Sequence, residues 1–197
     1  MRLIYKKYLP NEDIPVYDYA QNRKLVKYYT RETMAAVVSV ACLFEGTNPD
    51  PCMPFFYSSG ETEIVDFYRG IGEKFINEEK DFSSNWFVEN VSQLISPLER
   101  FKTMRNTTAC LVAIENGLKG DNGVLLTSAS GLLYSGMLAE TEGRVLIGAG
   151  KLYADGTVEC GFAEGLPAEF AVHPLLDTLC DAIEIFQPSK STAVWQS

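Results

Sequence analysis

With 197 residues, 46% apolar and 22% charged side chains, the chain can bury roughly 70% of its unfolded surface as one domain, needing no metal or disulfide staple. The apolar fraction and 12% aromatic content exclude disorder, and no apolar run approaches the roughly 18–20 residues of a membrane span. A net charge of −9 argues against nucleic-acid binding, which needs many phosphate-neutralising cations.

The charge is uneven. Arg2, Lys6, Lys7, Arg23, Lys24, Lys27 and Arg31 make residues 1–31 basic, so the acidic excess lies entirely in the remainder. This segment reads either as a solvated helix face or as a docking patch for an acidic partner. The start, Met1-Arg-Leu-Ile-Tyr-Lys-Lys7, lacks a secretory signal, so a cytoplasmic protein is expected. Five scattered cysteines (Cys42, Cys52, Cys110, Cys160, Cys180) and one histidine, His173, show no metal-ligand spacing, so no metal is expected. Cys42, Cys110 and Cys180 lie in apolar helical patterns and read as small core residues.

In chain order, residues 1–9 suit a strand and 10–20 a Pro- and Asp-containing loop. A long helix is predicted from Arg23 to about Phe44, stopped by Gly46-Thr-Asn-Pro-Asp-Pro51. Phe55-Phe-Tyr57 reads as a buried strand ending at Ser58-Ser-Gly60. Ile64, Phe67, Tyr68, Ile71 and Phe75 recur at helical spacing over 61–79. Trp86, Phe87 and Leu94 supply apolar anchors in the ambiguous stretch 80–96. A helix over 106–116 would face Cys110, Leu111 and Ile114 inward and end at Gly117.

After Gly120-Asp-Asn-Gly123 comes Val124-Leu-Leu-Thr127, an apolar run expected to be a strand buried on both faces. A small-residue turn, Ser128-Ala-Ser-Gly131, launches a helix to about Glu140, followed by an apolar strand over 145–149. A further strand is predicted over 158–163, a final helix over 171–186 and a loose tail over 187–197. This alternation of helices and strands gives an α/β layered fold.

Several motifs fail on inspection. Gly148-Ala-Gly150-Lys151 completes neither a phosphate loop nor a dinucleotide fingerprint. Leu126-Thr-Ser128-Ala-Ser130 lacks the glycines of a hydrolase elbow, and a serine nucleophile would need a base where His173 is the sole histidine.

Taken together, Ser96-Pro97-Leu-Glu-Arg-Phe101, Asn106-Thr-Thr-Ala109, Gly117-Leu-Lys-Gly120-Asp-Asn122 and Thr127-Ser-Ala-Ser-Gly131 resemble the N-terminal half of a β-ketoacyl synthase. The likeness is nearest to the stand-alone, half-length ketosynthase-like proteins of aryl-polyene and flexirubin pigment clusters, which share an earlier Ser-x-Gly-Glu segment, here Ser59-Gly60-Glu61. It spans about 55 residues, from Ser96 to Gly150. The resemblance implies a thiolase-like half: helices layered around a mixed, mostly parallel sheet of about five strands, in a single domain over 1–197.

Ser128 stands where the family has its nucleophilic cysteine. A thiolate is stabilised at a helix N-terminus, whereas a serine hydroxyl there stays protonated. Family enzymes also draw two histidines from a C-terminal half, and His173 is the only histidine here, read as a cap or surface residue. Each lost oxyanion donor forfeits about 10²–10³ in rate, so independent condensation is not expected.

The resemblance instead implies a non-catalytic subunit of fatty-acyl or aryl-polyene synthesis. It would pair with a full-length ketosynthase through Val124, Leu125, Leu126 and Thr127 and shape the acyl tunnel with Ala129, Ser130, Gly131 and Ser135. Acyl carrier protein would be reached through that partner, and no cofactor is expected. Alternatives are an acyl-binding or self-assembling module, including a homodimer, and a Ser128-dependent acyltransferase or hydrolase.

Overall fold

The computed structural model describes residues 1–45, 47–60, 83–93 and 104–188. Its framework is a mixed five-stranded sheet ordered β1-β5-β4-β2-β3. The strands are β1 (Arg2–Tyr8), β2 (Phe55–Ser58), β3 (Asn122–Leu125), β4 (Val145–Leu152) and β5 (Val158–Gly165). Parallel pairing joins β2 to β3 and to β4, and antiparallel pairing joins β5 to β4 and to β1. The expected α/β architecture with a mixed sheet is present.

Central placement explains the strand sequences. Every residue of β5 is buried, as are Val145–Gly150 of β4, so neither strand alternates apolar with polar. Their hairpin turns on Gly156 at φ +89°, a conformation that favours glycine, and Asp155 accepts the Thr157 backbone N–H at 2.8 Å.

One face of the sheet carries Phe55, Tyr57 and Phe162, with ring centroids 5.8–6.2 Å apart. The loop after β1 contributes α1 (Val16–Tyr19), whose Val16 is buried in the same core. Over this core lies α2 (Arg31–Leu43), where Ala35, Ala36, Val37, Val38 and Val40 are at most 1% exposed.

The helix predicted from Arg23 begins eight residues later. Thr30 is its N-cap and accepts the Thr33 N–H at 3.1 Å, while a 3-10 turn, Val26–Tyr28, precedes it. Arg23, Lys24 and Lys27 therefore sit on an exposed turn, not on a helix face.

A short helical turn, α3 (Ser84–Trp86), continues as a π-helical turn over Phe87–Val91. Trp86 and Phe87 are half-buried there. The helix expected over 61–79, the anchor Leu94 and the tail from 189 lie outside the described residues.

Helix α4 (Thr107–Asn116) ends at Gly117, in the left-handed region at φ +66° as expected of a C-terminal glycine. Its inward face corrects the sequence reading. Thr108, Val112 and Glu115 form the buried stripe, whereas Cys110 and Ile114 are exposed and Leu111 is half-buried. Polar partners turn the helix: Thr108 shares a 3.0 Å hydroxyl hydrogen bond with Thr33, and Glu115 accepts from Tyr29 Oη at 2.5 Å. Cys110, Leu111 and Ile114 then line a shallow apolar groove with Leu25 and Tyr28.

The opposite face is covered by α5 (Ala129–Met137), which buries Ala129, Leu132, Leu133 and Gly136. Beside it pack α6 (Pro167–Phe170) and a 3-10 turn, Ala182–Ile185. Over 171–186, where a single helix was expected, the chain forms turns and this 3-10 turn. Pro174 disfavours a helical His173, and Asp181 caps a new start by accepting the Ile183 N–H at 3.2 Å. Among the described residues no helix is long and apolar enough to cross a membrane.

Candidate functional site

The carboxyl ends of the parallel strands β2, β3 and β4 meet at a cavity of about 450 Å³. Sheets of this kind place ligands in such a crevice. Ser58 and Ser59 arrive from β2, Thr127 and Ser128 from the segment after β3, and Lys151 from β4. Cys180 and Asp181 close the cavity from the loop before the last 3-10 turn.

Ser128 is the N-cap of α5, with φ −72° and ψ 175°, which is unstrained extended backbone. It bridges antiparallel to Asp181, and the Ala129 N–H donates to the Cys180 carbonyl at 2.9 Å. The Ser128 carbonyl accepts the Leu132 N–H at 3.2 Å, but its hydroxyl makes no capping hydrogen bond. Thus the strand–serine–helix arrangement read from the sequence is present, with Ser128 on the cavity wall.

No histidine lines this cavity. His173 is 3% exposed, not on the surface; its Nδ1 accepts the Leu175 N–H at 3.1 Å and so caps a turn. Burial lowers its pKa to about 4, so the ring is neutral near pH 7. Among the described residues the charged groups present are Arg105, Lys151 and Asp181, the last two in direct contact. Lys151 also lies 5.3 Å from the centroid of the Tyr153 ring. Among the described residues no free base stands beside Ser128, and a serine without one is poorly equipped as a nucleophile.

Val124, Leu125, Leu126 and Thr127 stand at the margin of the sheet. Among the described residues β3 is an edge strand, paired only with β2. The expectation of a strand buried on both faces is corrected, because exposure alternates. Leu125 packs into the core beneath α5, whereas Val124 is 36% and Leu126 63% exposed. An edge strand has only one sheet neighbour, and its outer side chains follow the period of two. Regular pairing stops at Leu125, and the Thr127 carbonyl accepts from Ser58 Oγ at 3.2 Å.

Along α5, Ala129 is fully buried, while Ser130, Gly131 and Ser135 are half-buried. Ser135 Oγ donates to the Gly131 carbonyl at 2.9 Å. A β-carbon at Gly131 would fall 1.8 Å from Thr127 Oγ1, so this chain's own threonine occupies that side of the helix.

Sequence reasoning missed Ser59, Lys151, Cys180 and Asp181 as neighbours of Ser128. Lys151 had a visible signal, a cation closing an apolar strand. Asp181 had a weaker one, since Asp181 and Glu184 form a capping box across a helix start.

No family profile and no curated protein matches the chain. Among solved structures it is similar to a ketosynthase (ApeO) in complex with its chain length factor (ApeC) from Xenorhabdus doucetiae, with a TM-score of 0.46, 11% sequence identity, and coverage of 84% of this chain and 80% of that one.

Proposed function

We propose that this chain is a non-catalytic ketosynthase-like subunit that pairs with a full-length ketosynthase through β3 and supports its acyl tunnel. The observation that carries the reading is the position of β3 at the edge of the sheet among the described residues, with Val124 and Leu126 open to solvent. An apolar edge with free backbone donors and acceptors is a template for another strand. Pairing across it would bury Leu126 and extend the sheet into the partner.

The serine in place of the family cysteine supports a structural role. Ser128 has no histidine beside it, and Lys151 is in direct contact with Asp181. The wall offered to a partner's tunnel would come from Thr127 and Ser128, since Thr127 already fills the space over Gly131. With −9 net charge, the chain is a poor primary dock for an acidic carrier protein, which the ketosynthase would receive instead.

Co-expression with a full-length ketosynthase from the same organism tests this reading through two variants. Leu126→Glu should abolish co-purification, and Ser128→Ala should leave both co-purification and pathway product intact. Loss of product with Ser128→Ala while pairing persists would point to acyl transfer by Ser128 and sink the non-catalytic reading.

A further inference from the structure

We propose that residues 177–181 form a strap latched over the head of α5 by the Lys151–Asp181 ion pair, and that its release opens the cavity beside Ser128. The strap runs between two buried anchors, His173 and Ile183. None of its own five residues is buried, and Leu179 is 93% exposed. Thr178 closes a turn within it, donating its N–H and its hydroxyl to the Leu175 carbonyl at 3.1 and 2.9 Å. Segments with few buried apolar contacts and solvent-facing hydrogen bonds open locally at low free-energy cost.

At its far end the strap meets the helix and the sheet. The Cys180 carbonyl accepts the Ala129 N–H at 2.9 Å, Asp181 bridges to Ser128, and the Asp181 carboxylate contacts Lys151. Cys180 and Asp181 are also walls of the cavity, so movement of this end widens it.

The other half of the latch is fixed. Lys151 belongs to β4 and is paired there with Glu159 of β5. Its ammonium lies 5.3 Å from the Tyr153 ring centroid, and Tyr153 Oη donates to the buried Glu159 carboxylate at 3.0 Å. The cation is thus seated on a ring tied to the sheet, whereas its carboxylate partner stands at the end of a turn. Lys151 and Asp181 are both partly exposed. A pair of this kind is weak and screened by salt, which suits a latch that opens and closes.

Amide hydrogen exchange of the whole chain, followed by NMR and corrected for intrinsic rates, tests the strap. The Ala129 N–H is the reporter, because at the start of α5 no intrahelical carbonyl can replace that of Cys180. The Leu146 N–H, bonded to the Pro54 carbonyl, reports global opening. Ala129 should exchange faster than Leu146 in the unaltered chain. Lys151→Met should speed Ala129 by about two- to fivefold and leave Leu146 unchanged, and Lys151→Arg should preserve the original rate. Added sodium chloride should speed Ala129 in the unaltered chain but not in Lys151→Met. Equal exchange at Ala129 and Leu146, an Ala129 rate unchanged in Lys151→Met, or a salt response that persists in that variant would overturn the proposal. No partner is present, so the result is separate from that of the pairing reading.

Discussion

Glu115 shows how a single buried carboxylate organises a loop far away in sequence. At 4% exposure it accepts the Tyr29 hydroxyl at 2.5 Å and the backbone N–H groups of Gln21 and Asn22 at 2.6 and 3.1 Å. These bonds hold the turn that delays the start of α2. Glu115→Ala strands three donors and should destabilise the fold by about 3 kcal/mol in urea unfolding. Glu115→Gln, which keeps one acceptor, should cost less.

His173 sets a pH window at the same scale. Its folded pKa is lowered from 6.5 to about 4 by burial, so the unfolded chain takes up the proton first as pH falls. Stability should therefore be lost progressively from pH 6.5 down to about 4. Glu159 acts lower. Burial opposes its ionisation, but hydrogen bonds from Lys7, Gln187 and Tyr153 prevail and hold the carboxyl below its usual 4.5. That contribution, full above pH 4.5, is lost as pH falls through the depressed value. Urea unfolding across pH should show both windows, and His173→Gln should remove the upper one only.

Among the elements, strands were easier to read than helix faces. β2 and β4 begin as apolar runs, β1 and β5 mix apolar with charged residues, and all four form where expected. The solvent exposure of β3 was not legible, because it depends on which strand lies beside it in the sheet. The face of α4 was misread for a related reason. Thr108 and Glu115 look like outward residues until their partners arrive from 75 and 94 positions away, Thr33 and Gln21.

Of the candidate site, Ser128 was legible as a strand-to-helix junction. Ser59, Lys151 and Asp181 join it from three separate elements, so no local spacing announces them. The corrected α4 face predicts thiol chemistry. Iodoacetamide should modify Cys110 and Cys52 in the folded protein, because both are exposed. Cys160, fully buried with its thiol pushed well above the usual range, should react only on unfolding. Peptide mass mapping that found Cys110 protected would contradict the assigned face.

At the scale of the molecule, the sheet has unequal margins. β1 closes one side under salt bridges such as Lys7 to Glu159 at 2.9 Å, and it carries charged residues of the kind that discourage edge pairing. Among the described residues β3 closes the other side, with Val124 and, just past its end, Leu126 exposed. Adjacent leucines there should behave oppositely. Leu126→Glu, in solvent, should change stability by less than about 0.5 kcal/mol. Leu125→Glu drives a charge toward the core under α5 and should cost on the order of 2–4 kcal/mol. Equal losses in urea unfolding would contradict the alternation at this edge.

The central claim is that β3 is a pairing edge for a full-length ketosynthase, and the molar mass of the co-expressed, purified proteins tests it most directly. Light scattering after size exclusion should give one heterodimer of one chain each, which Leu126→Glu splits into its components. A chain that elutes as a monomer or homodimer beside the ketosynthase, whatever the residue at 126, would contradict the account.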